Sequence, residues 1–559
     1  MSKQLIECVP NFSEGRDANI IRQITQVIET VEGVKLLDVD PGKATNRTVV
    51  TFVGEPAPVI EAAFLVIQKA ASLIDMSKHH GEHPRMGATD VCPLIPIANI
   101  TMEEVVKWAH KLAKRVGEEL EIPCYMYEYA ATKPAWKNLA TVRAGEYEAL
   151  KDKLSKPEWK PDYGPARFNA RSGATAISAR DFLIAYNINL NTTSVRRANS
   201  VAFDVRENGR VKREGDPISG KVVKDANGKP MREPGACKAV KGIGWYIEEY
   251  GIAQISMNLT NINVTPLHIA FEECHKSADR RGLRVTGSEL VGLVPLKVML
   301  DAGRYFLKKQ ERSVGVSEEE LIKIAVKSLG LEELTPFDPK KKIIEYQLKD
   351  AEKNPLVAMD LRAFANETAS ESMAPGGGSI SAYVGALGVS LATMVANLSG
   401  HKRGWDDRWE EFSDWADRGQ QIKDALLKLV DEDTGAFNAI IDAFRLPKGS
   451  SEEQAVRKEA IQAATKLAIE VPFRTMELSL QSFEVIKAMA EHGNPNSASD
   501  AGVGALCARA AVHGAFLNVK INTDDLEDKG YVADILEKTA VMAKKADELE
   551  AEVLLMVNG

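Results

Sequence analysis

The feature that most constrains this chain is a change of hydrophobic period near residue 349. Before it, short β-branched runs alternate with segments whose apolar residues recur every three or four positions. After it, nearly every segment carries the helical period alone. Strands alternating with helices bury their apolar faces as α/β layers, whereas a series of amphipathic helices packs as a bundle. The expected fold is therefore multidomain: two α/β subdomains, ferredoxin-like and two-layered, followed by an all-α helical domain. A length of 559 residues suits several such units.

Strands are expected over 4–10, 34–39, 47–53, 91–97 and 124–129, with helices over 18–32, 56–74 and 101–120. A second α/β pattern opens with a strand at 182. It continues with a helix over 195–204, strands over 242–247 and 252–258, and a helix over 266–280. Strand, helix, strand, strand, helix is the order of a ferredoxin-like unit. Residues 207–241 are dense in Gly, Lys, Arg and Pro, which predicts a mobile surface insertion. Residues 349–356 are charged and polar, as a linker would be. Helices are expected over 357–371, 379–399, 408–444, 451–492, 500–517 and 534–556. The domain boundaries that follow are 1–181, 182–348, a linker over 349–356, and 357–559.

Composition narrows the function classes. A net charge of −8 without a dominant basic tract argues against nucleic acid as a partner. Six cysteines without a CxxC pair indicate neither a disulfide framework nor a zinc site, and they suit a reducing cytoplasm. No HExxH is present, so no metal is expected. The first residues lack the apolar stretch of a signal peptide. Residues 373–400 carry no charge and are long enough to span a bilayer. Their serines, glycines and alanines favour a buried, closely packed helix over a membrane span.

Three polar constellations stand out in the first third. Residues 79–90 hold His79, His80 and His83, the acids Glu82 and Asp90, and Arg85. Glycine and proline break any regular element there, so these groups share a loop before a strand. Histidine titrates near neutrality and suits moving a proton to or from an amine nucleophile. A polar surface loop is the plain alternative. Residues 38–48 combine Asp38 and Asp40 with Arg47, either a turn or a carboxylate-holding fork. Residues 161–175 interleave Phe168 with Arg167 and Arg171, either a linker or a grip on a flat anionic ligand.

In the helical third, 374–379 reads APGGGS at a helix start, a possible anion site or a close helix junction. Ser499 or Asp500 has the place of an N-cap. The sharpest signal is Asp433. Leu426, Leu429, Val430, Phe437, Ile440, Ile441 and Phe444 form one apolar stripe at spacings of three and four, and Asp433 falls on it. Asp431 and Glu432 fall off it. A carboxylate on a buried face is costly unless it is paired or working. Burial raises its pKa, which equips it to shuttle protons near neutrality. A buried acid bonded to a neighbouring helix is the alternative.

These motifs also carry a resemblance. ECVPNFSEG over 7–15, HPRMG over 83–87, GIGWY over 242–246 and GSELVGLVPL over 287–296 resemble the formimidoyltransferase family. APGGGS over 374–379, VDED over 430–433 with Ala436 and Phe437, and FLNVKIN over 516–522 resemble the cyclodeaminase family. Their order is that of the bifunctional fusion. The resemblance implies transfer of a formimidoyl group from N-formimidoyl-L-glutamate to N5 of tetrahydrofolate. Closure to 5,10-methenyltetrahydrofolate follows, with loss of ammonia, in histidine degradation. It implies His83 as the catalytic histidine and Asp433 as the cyclodeaminase acid. It implies folate contacts at Gly164, Pro165, Ala166, Arg167, Phe168, Asn169, Ala170, Arg171, Ser172 and Gly173. Residues 169–172 and the length of the 207–241 insertion depart from the family's pattern. The folate is the acceptor substrate, with a polyglutamate tail able to tether it, and the chain is expected to be a cytoplasmic homo-oligomer. A fused methenyltetrahydrofolate cyclohydrolase and a non-catalytic folate-binding scaffold are the alternatives.

Overall fold

The computed structural model describes residues 4–43, 45–81, 84–215, 219–348 and 355–559. The chain forms two compact units: Met1–Met299 with Leu329–Leu348, and Leu300–Ser328 with Lys349–Gly559.

The first unit contains two sheets. Seven strands make the first: β1 (Leu5–Cys8), β2 (Asn11–Phe12), β3 (Val34–Gly42), β4 (Arg47–Gly54), β5 (Thr89–Ala98), β6 (Cys124–Glu128) and β7 (Thr175–Ala179). β5, β7 and β6 run parallel, and the other pairings are antiparallel. The strand expected over 4–10 is thus two, β1 and β2, separated at Pro10, which has no N–H for the ladder. Side chains alternate across a strand with period two. Cys8, Phe52, Cys92, Leu94, Met126 and Ile177 point to one face, where they pack in one core cluster with α1 (Pro56–Leu73) and α2 (Met102–Glu119). α1 starts with Pro56 in its first turn. α2 starts with a Thr101–Glu104 capping box. The opposite face carries Glu7, Val9, Asn11, Arg47, Val49, Val91 and Tyr127 toward a cleft.

The second sheet has four antiparallel strands in the order β9-β10-β8-β11: β8 (Ile184–Leu190), β9 (Val240–Ile247), β10 (Ile252–Leu259) and β11 (Val285–Val291). α3 (Val195–Val205) packs on β9 and β10, and α4 (Leu267–Asp279) packs on α3 and β11. Tyr186, Ile188, Ile255 and Leu259 are fully buried. Asn189, Gln254 and Glu289, set on alternate positions, form a hydrogen-bonded polar patch. The insertion after α3 forms two small strand pairs, Arg210–Val211 with Arg232–Glu233 and Arg213–Glu214 with Lys221–Val222.

The second unit is helical. Its main elements are α5 (Leu296–Lys309, of which Leu300 onward belongs here), α6 (Glu318–Leu329, up to Ser328), α7 (Gly377–Gly400), α8 (Trp409–Arg445), α9 (Ser451–His492), α10 (Ala498–Asn522) and α11 (Lys529–Asn558). Leu300–Ser328 precede the linker in sequence but cluster with the bundle. The Val314 amide donates to Ser413 Oγ at 3.0 Å, and Asn397 donates to the Gly315 carbonyl at 2.8 Å. The linker expected over 349–356 lies mostly outside the described residues, which resume at Pro355. α7 is the uncharged segment of 373–400. Like Pro56–Leu73 and Pro495–Asn522, it is long and apolar enough to cross a membrane by length and composition. Its small residues pack it against other helices: a Cβ on Gly388 would meet the Gly504 carbonyl of α10 at 2.9 Å. The core joins Val389 and Val395 of α7, Leu426 and Leu429 of α8, Ile469 and Phe483 of α9, and Val512 of α10.

Candidate functional site

Between the two sheets of the first unit lies a cleft of about 1010 Å³. Its floor is the alternate face of β1, β2, β4 and β5. Ala185 of β8, Asn258 of β10 and Val291 of β11 also line it, as do Lys137, Arg143, Arg180 and Lys241. Arg47 is held down to about 10 by burial, which outweighs the opposing pull of Asp90. Asp90 is fully buried, ion-paired with Arg143, and accepts the Met86 amide at 3.0 Å. Burial raises the Glu128 carboxyl above its usual range against the influence of Lys241 and Arg180.

A second, smaller cavity of about 560 Å³ is lined by Arg16, His80, Gly81, Arg85, Gly145, Glu146 and Glu148. Gly145 and Glu146 line both cavities. Arg85 is clamped by Glu146 at 3.0 Å and Glu148 at 2.7 Å. Arg85 Nε donates to His79 Nδ1 at 3.3 Å, so His79 is neutral at that nitrogen. Its Nε2 then donates to the Asn46 carbonyl at 3.0 Å. Burial lowers the His79 pKa. His79 is thus a structural imidazole, while His80 faces the small cavity. Glu82 and His83 lie outside the described residues. Their flanks Gly81 and Pro84 line the small cavity and the cleft respectively.

The segment Gly164–Gly173 lines neither cavity. Gly164 and Gly173 have φ of +80° and +66°, and each sits where a Cβ would strike backbone, at Ile122 and Met86. Asn169 Oδ1 accepts the Arg171 and Ser172 amides. Phe168 packs on Tyr147 with ring centroids 5.5 Å apart, and Arg167 pairs with Glu121 at the surface. Pro165, Ala166 and Ala170 are solvent-facing or half-buried.

In the helical unit, Asp433 of α8 meets the N-terminus of α7. Ser379 Oγ donates to Asp433 Oδ2 at 2.9 Å and lies 3.4 Å from Thr434 Oγ1. A Cβ on Gly378 would fall 2.1 Å from Asp433 Oδ1, so only glycine permits this approach. Asn518 of α10 borders Gly377. Burial pushes the Asp433 carboxyl above its ordinary range, opposed by the Ser379 hydroxyl and amide. Unpaired N–H groups at a helix start stabilise the charged form and so act against that burial.

Three expectations change here. Asp431, off the apolar stripe, is the more buried acid, and it accepts the Leu356 and Val357 amides at 2.9 and 3.3 Å. Phe437 and Phe444, on the stripe, are exposed. Asp500 lies in the first turn of α10, with Ser497 at the cap. Glu7, Arg143, Arg180 and Lys241 were not singled out by spacing. A charged residue inside an otherwise apolar strand, as Glu7 is, was the available signal. Among the described residues no group of three His, Cys, Asp or Glu side chains converges as for a metal ion.

Comparison with known proteins covers the whole chain. Residues 5–180 match the family described as formiminotransferase domain, N-terminal subdomain. Residues 185–349 match the formiminotransferase domain, and 360–541 match formiminotransferase-cyclodeaminase. The formimidoyltransferase-cyclodeaminase of Gallus gallus is 42% identical over 555 residues, 99% of each chain. The glutamate formimidoyltransferase of Streptococcus pyogenes serotype M1 is 39% identical over 308 residues, 55% of this chain and 95% of its own. The methenyltetrahydrofolate cyclohydrolase of Methylorubrum extorquens is 31% identical over 193 residues, 34% of this chain and 93% of its own.

Proposed function

Because the chain belongs to the formimidoyltransferase-cyclodeaminase family, we propose that its α/β unit and its helical unit carry two successive steps on one folate. It transfers the formimidoyl group of N-formimidoyl-L-glutamate to N5 of tetrahydrofolate. It then cyclises 5-formimidoyltetrahydrofolate to 5,10-methenyltetrahydrofolate and releases ammonia. The end-to-end match to the Gallus gallus protein carries this reading.

The first step belongs to the cleft. N5 attacks the formimidoyl carbon, His83 takes the N5 proton and gives it to the glutamate nitrogen as the bond from that nitrogen to the carbon breaks. The position of Pro84 at the cleft wall supports this role for His83. Arg47, Lys137, Arg143, Arg180 and Lys241 supply positive charge for carboxylates of donor and folate. Folate contacts at Gly164–Gly173 rest on the resemblance. Arg167→Ala and Arg171→Ala should raise KM for tetrahydrofolate, and unchanged values would move the folate to the cleft face. The second step belongs to Asp433. N10 attacks the same carbon, and the carbon–nitrogen bond of the former imino group breaks. Asp433 relays the N10 proton to the departing nitrogen, which leaves as ammonia. Ser379 orients that carboxyl.

The deciding experiment mixes protein, donor and tetrahydrofolate and follows ammonia and methenyl absorbance together. Both should rise in equal amounts. The match to the Methylorubrum extorquens protein favours a second reading, a cyclohydrolase that opens the methenyl ring with water. Methenyl loss without ammonia release from the formimino adduct would establish that reading instead.

The remaining features complete the proposal. The strand order β9-β10-β8-β11 supports a ferredoxin-like second subdomain. Six free cysteines suit a cytoplasmic enzyme. Leu387, Met394 and Leu398 on α7, with Leu517 and Ile521 on α10, are exposed apolar side chains that suit homo-oligomer contacts. Histidine degradation is the pathway that supplies such a donor.

A further inference from the structure

The cleft holds acids that the transfer step leaves unused. Four carboxylates line it: Glu7, Glu128, Glu146 and Asp181. Glu146 accepts from Arg85 at 3.0 Å, and Asp181 accepts the Tyr129 hydroxyl at 2.8 Å. Glu128 faces Lys241 and Arg180. Glu7 differs. Its neighbours Ile6 and Cys8 are in the helix-side core, so the strand's alternation turns Glu7 into the cleft. It is 3% exposed, yet among the described residues no hydrogen bond or ion pair reaches its carboxylate. Arg180 acts on it from a distance, and Glu345 opposes that influence. Burial pushes its acid up to about 7. A buried carboxylate without a partner is destabilising, and active sites are where such groups concentrate.

We infer that Glu7 receives the cationic formimidoyl end of the donor and thereby sets the preference for a formimidoyl over a formyl group. This deepens, and rests on, the reading of the cleft as the transferase site. An N-substituted formamidine is a strong base that is protonated at neutral pH. Its two nitrogens lie in one plane with N–H groups that a carboxylate can accept as a fork, as it accepts a guanidinium. The matching formyl compound presents a carbonyl oxygen there, lone pair against lone pair. A site built to pair with a donor group rejects the analogue lacking it, because its own buried group is then left unpaired. The rest of the cleft fits the same molecule. Arg47, Arg143 and Lys241 lie on its walls and complement the two carboxylates of the glutamate moiety.

The test uses the full-length protein with Glu7→Gln, nearly isosteric and unable to carry charge. KM for N-formimidoyl-L-glutamate should rise roughly tenfold or more, with a much smaller change in kcat, because the lost pairing acts in the ground state. Inhibition by N-formyl-L-glutamate should be unchanged or stronger. Cyclisation of supplied 5-formimidoyltetrahydrofolate should persist and reports an intact helical unit. In the unaltered protein, formamidinium ion should compete with the donor. This measurement stands even if the variant folds poorly. Equal shifts for both glutamate ligands, no shift at all, or formamidinium that fails to compete would overturn the assignment. His83→Ala runs alongside. If it is inactive while Glu7→Gln is silent, only the role of Glu7 falls. If His83→Ala transfers normally, the reading of the cleft falls with it.

Discussion

Glu7 and Asp433 are both carboxyl groups raised by burial, but the physics around them differs. Asp433 has a hydroxyl donor and a helix start to hold its charge, whereas Glu7 has neither among the described residues. The difference is measurable in stability. The folded pKa of Glu7 is about 7 against an ordinary 4.5, so between those values the folded state holds a proton that the unfolded chain has lost. Its contribution is intact below pH 4.5 and is lost as pH rises through 7. The loss is on the order of 3 kcal/mol. Glu7→Gln should therefore melt higher than the unaltered protein at pH 8 and converge with it near pH 4.5, in thermal melts taken across that range. Asp433→Asn should slow cyclisation by about 100-fold or more while transfer continues, as loss of a general acid does. Gly378→Ala should also impair cyclisation, because its Cβ displaces the carboxylate from Ser379. A Gly378→Ala protein with normal cyclisation would argue that the Ser379–Asp433 geometry is not used.

At the scale of elements, α8 shows how far periodicity reaches. Its stripe correctly marks Leu426, Leu429 and Val430 as core, but Phe437 and Phe444 on the same stripe stay exposed. A 37-residue helix changes neighbours along its length, and its buried side changes with them. Asp431 is buried because the chain at Leu356 and Val357 directs two amides at it. Asp431→Ala should leave those amides without their acceptor and cost about 2 kcal/mol or more, read as a lower urea midpoint of the helical unit. Equal midpoints would mean that other groups replace the carboxylate. The strands were more legible. In β1, β4 and β5 alternation assigns one set of side chains to the helices and the other to the cleft, and that set contains Glu7.

For the whole molecule, the groups proposed for the two reactions belong to separate compact units. Mixing His83→Ala with Asp433→Asn should restore ammonia and methenyl formation from the donor, with a lag while the intermediate passes through solution. A tethered polyglutamate folate should shorten accumulation of that intermediate in the unaltered protein relative to the monoglutamate. Equal accumulation with short and long tails, followed by absorbance, would remove tethering. The change from mixed to helical period and the place of Asp433 on the inward side of α8 were present in the sequence, while His83 lies outside the described residues. They depend on spacing, and spacing survives without a third dimension. Which charges share a cleft depended on the tertiary structure. Glu7, Arg47, Arg180 and Lys241 come from distant parts of the chain and meet only when two sheets face one another. The same holds for Asp431, whose bonding partners lie 74 and 75 residues away. Periodicity reports which side of an element is apolar. Only packing reports what stands opposite each charged group and whether it has a partner.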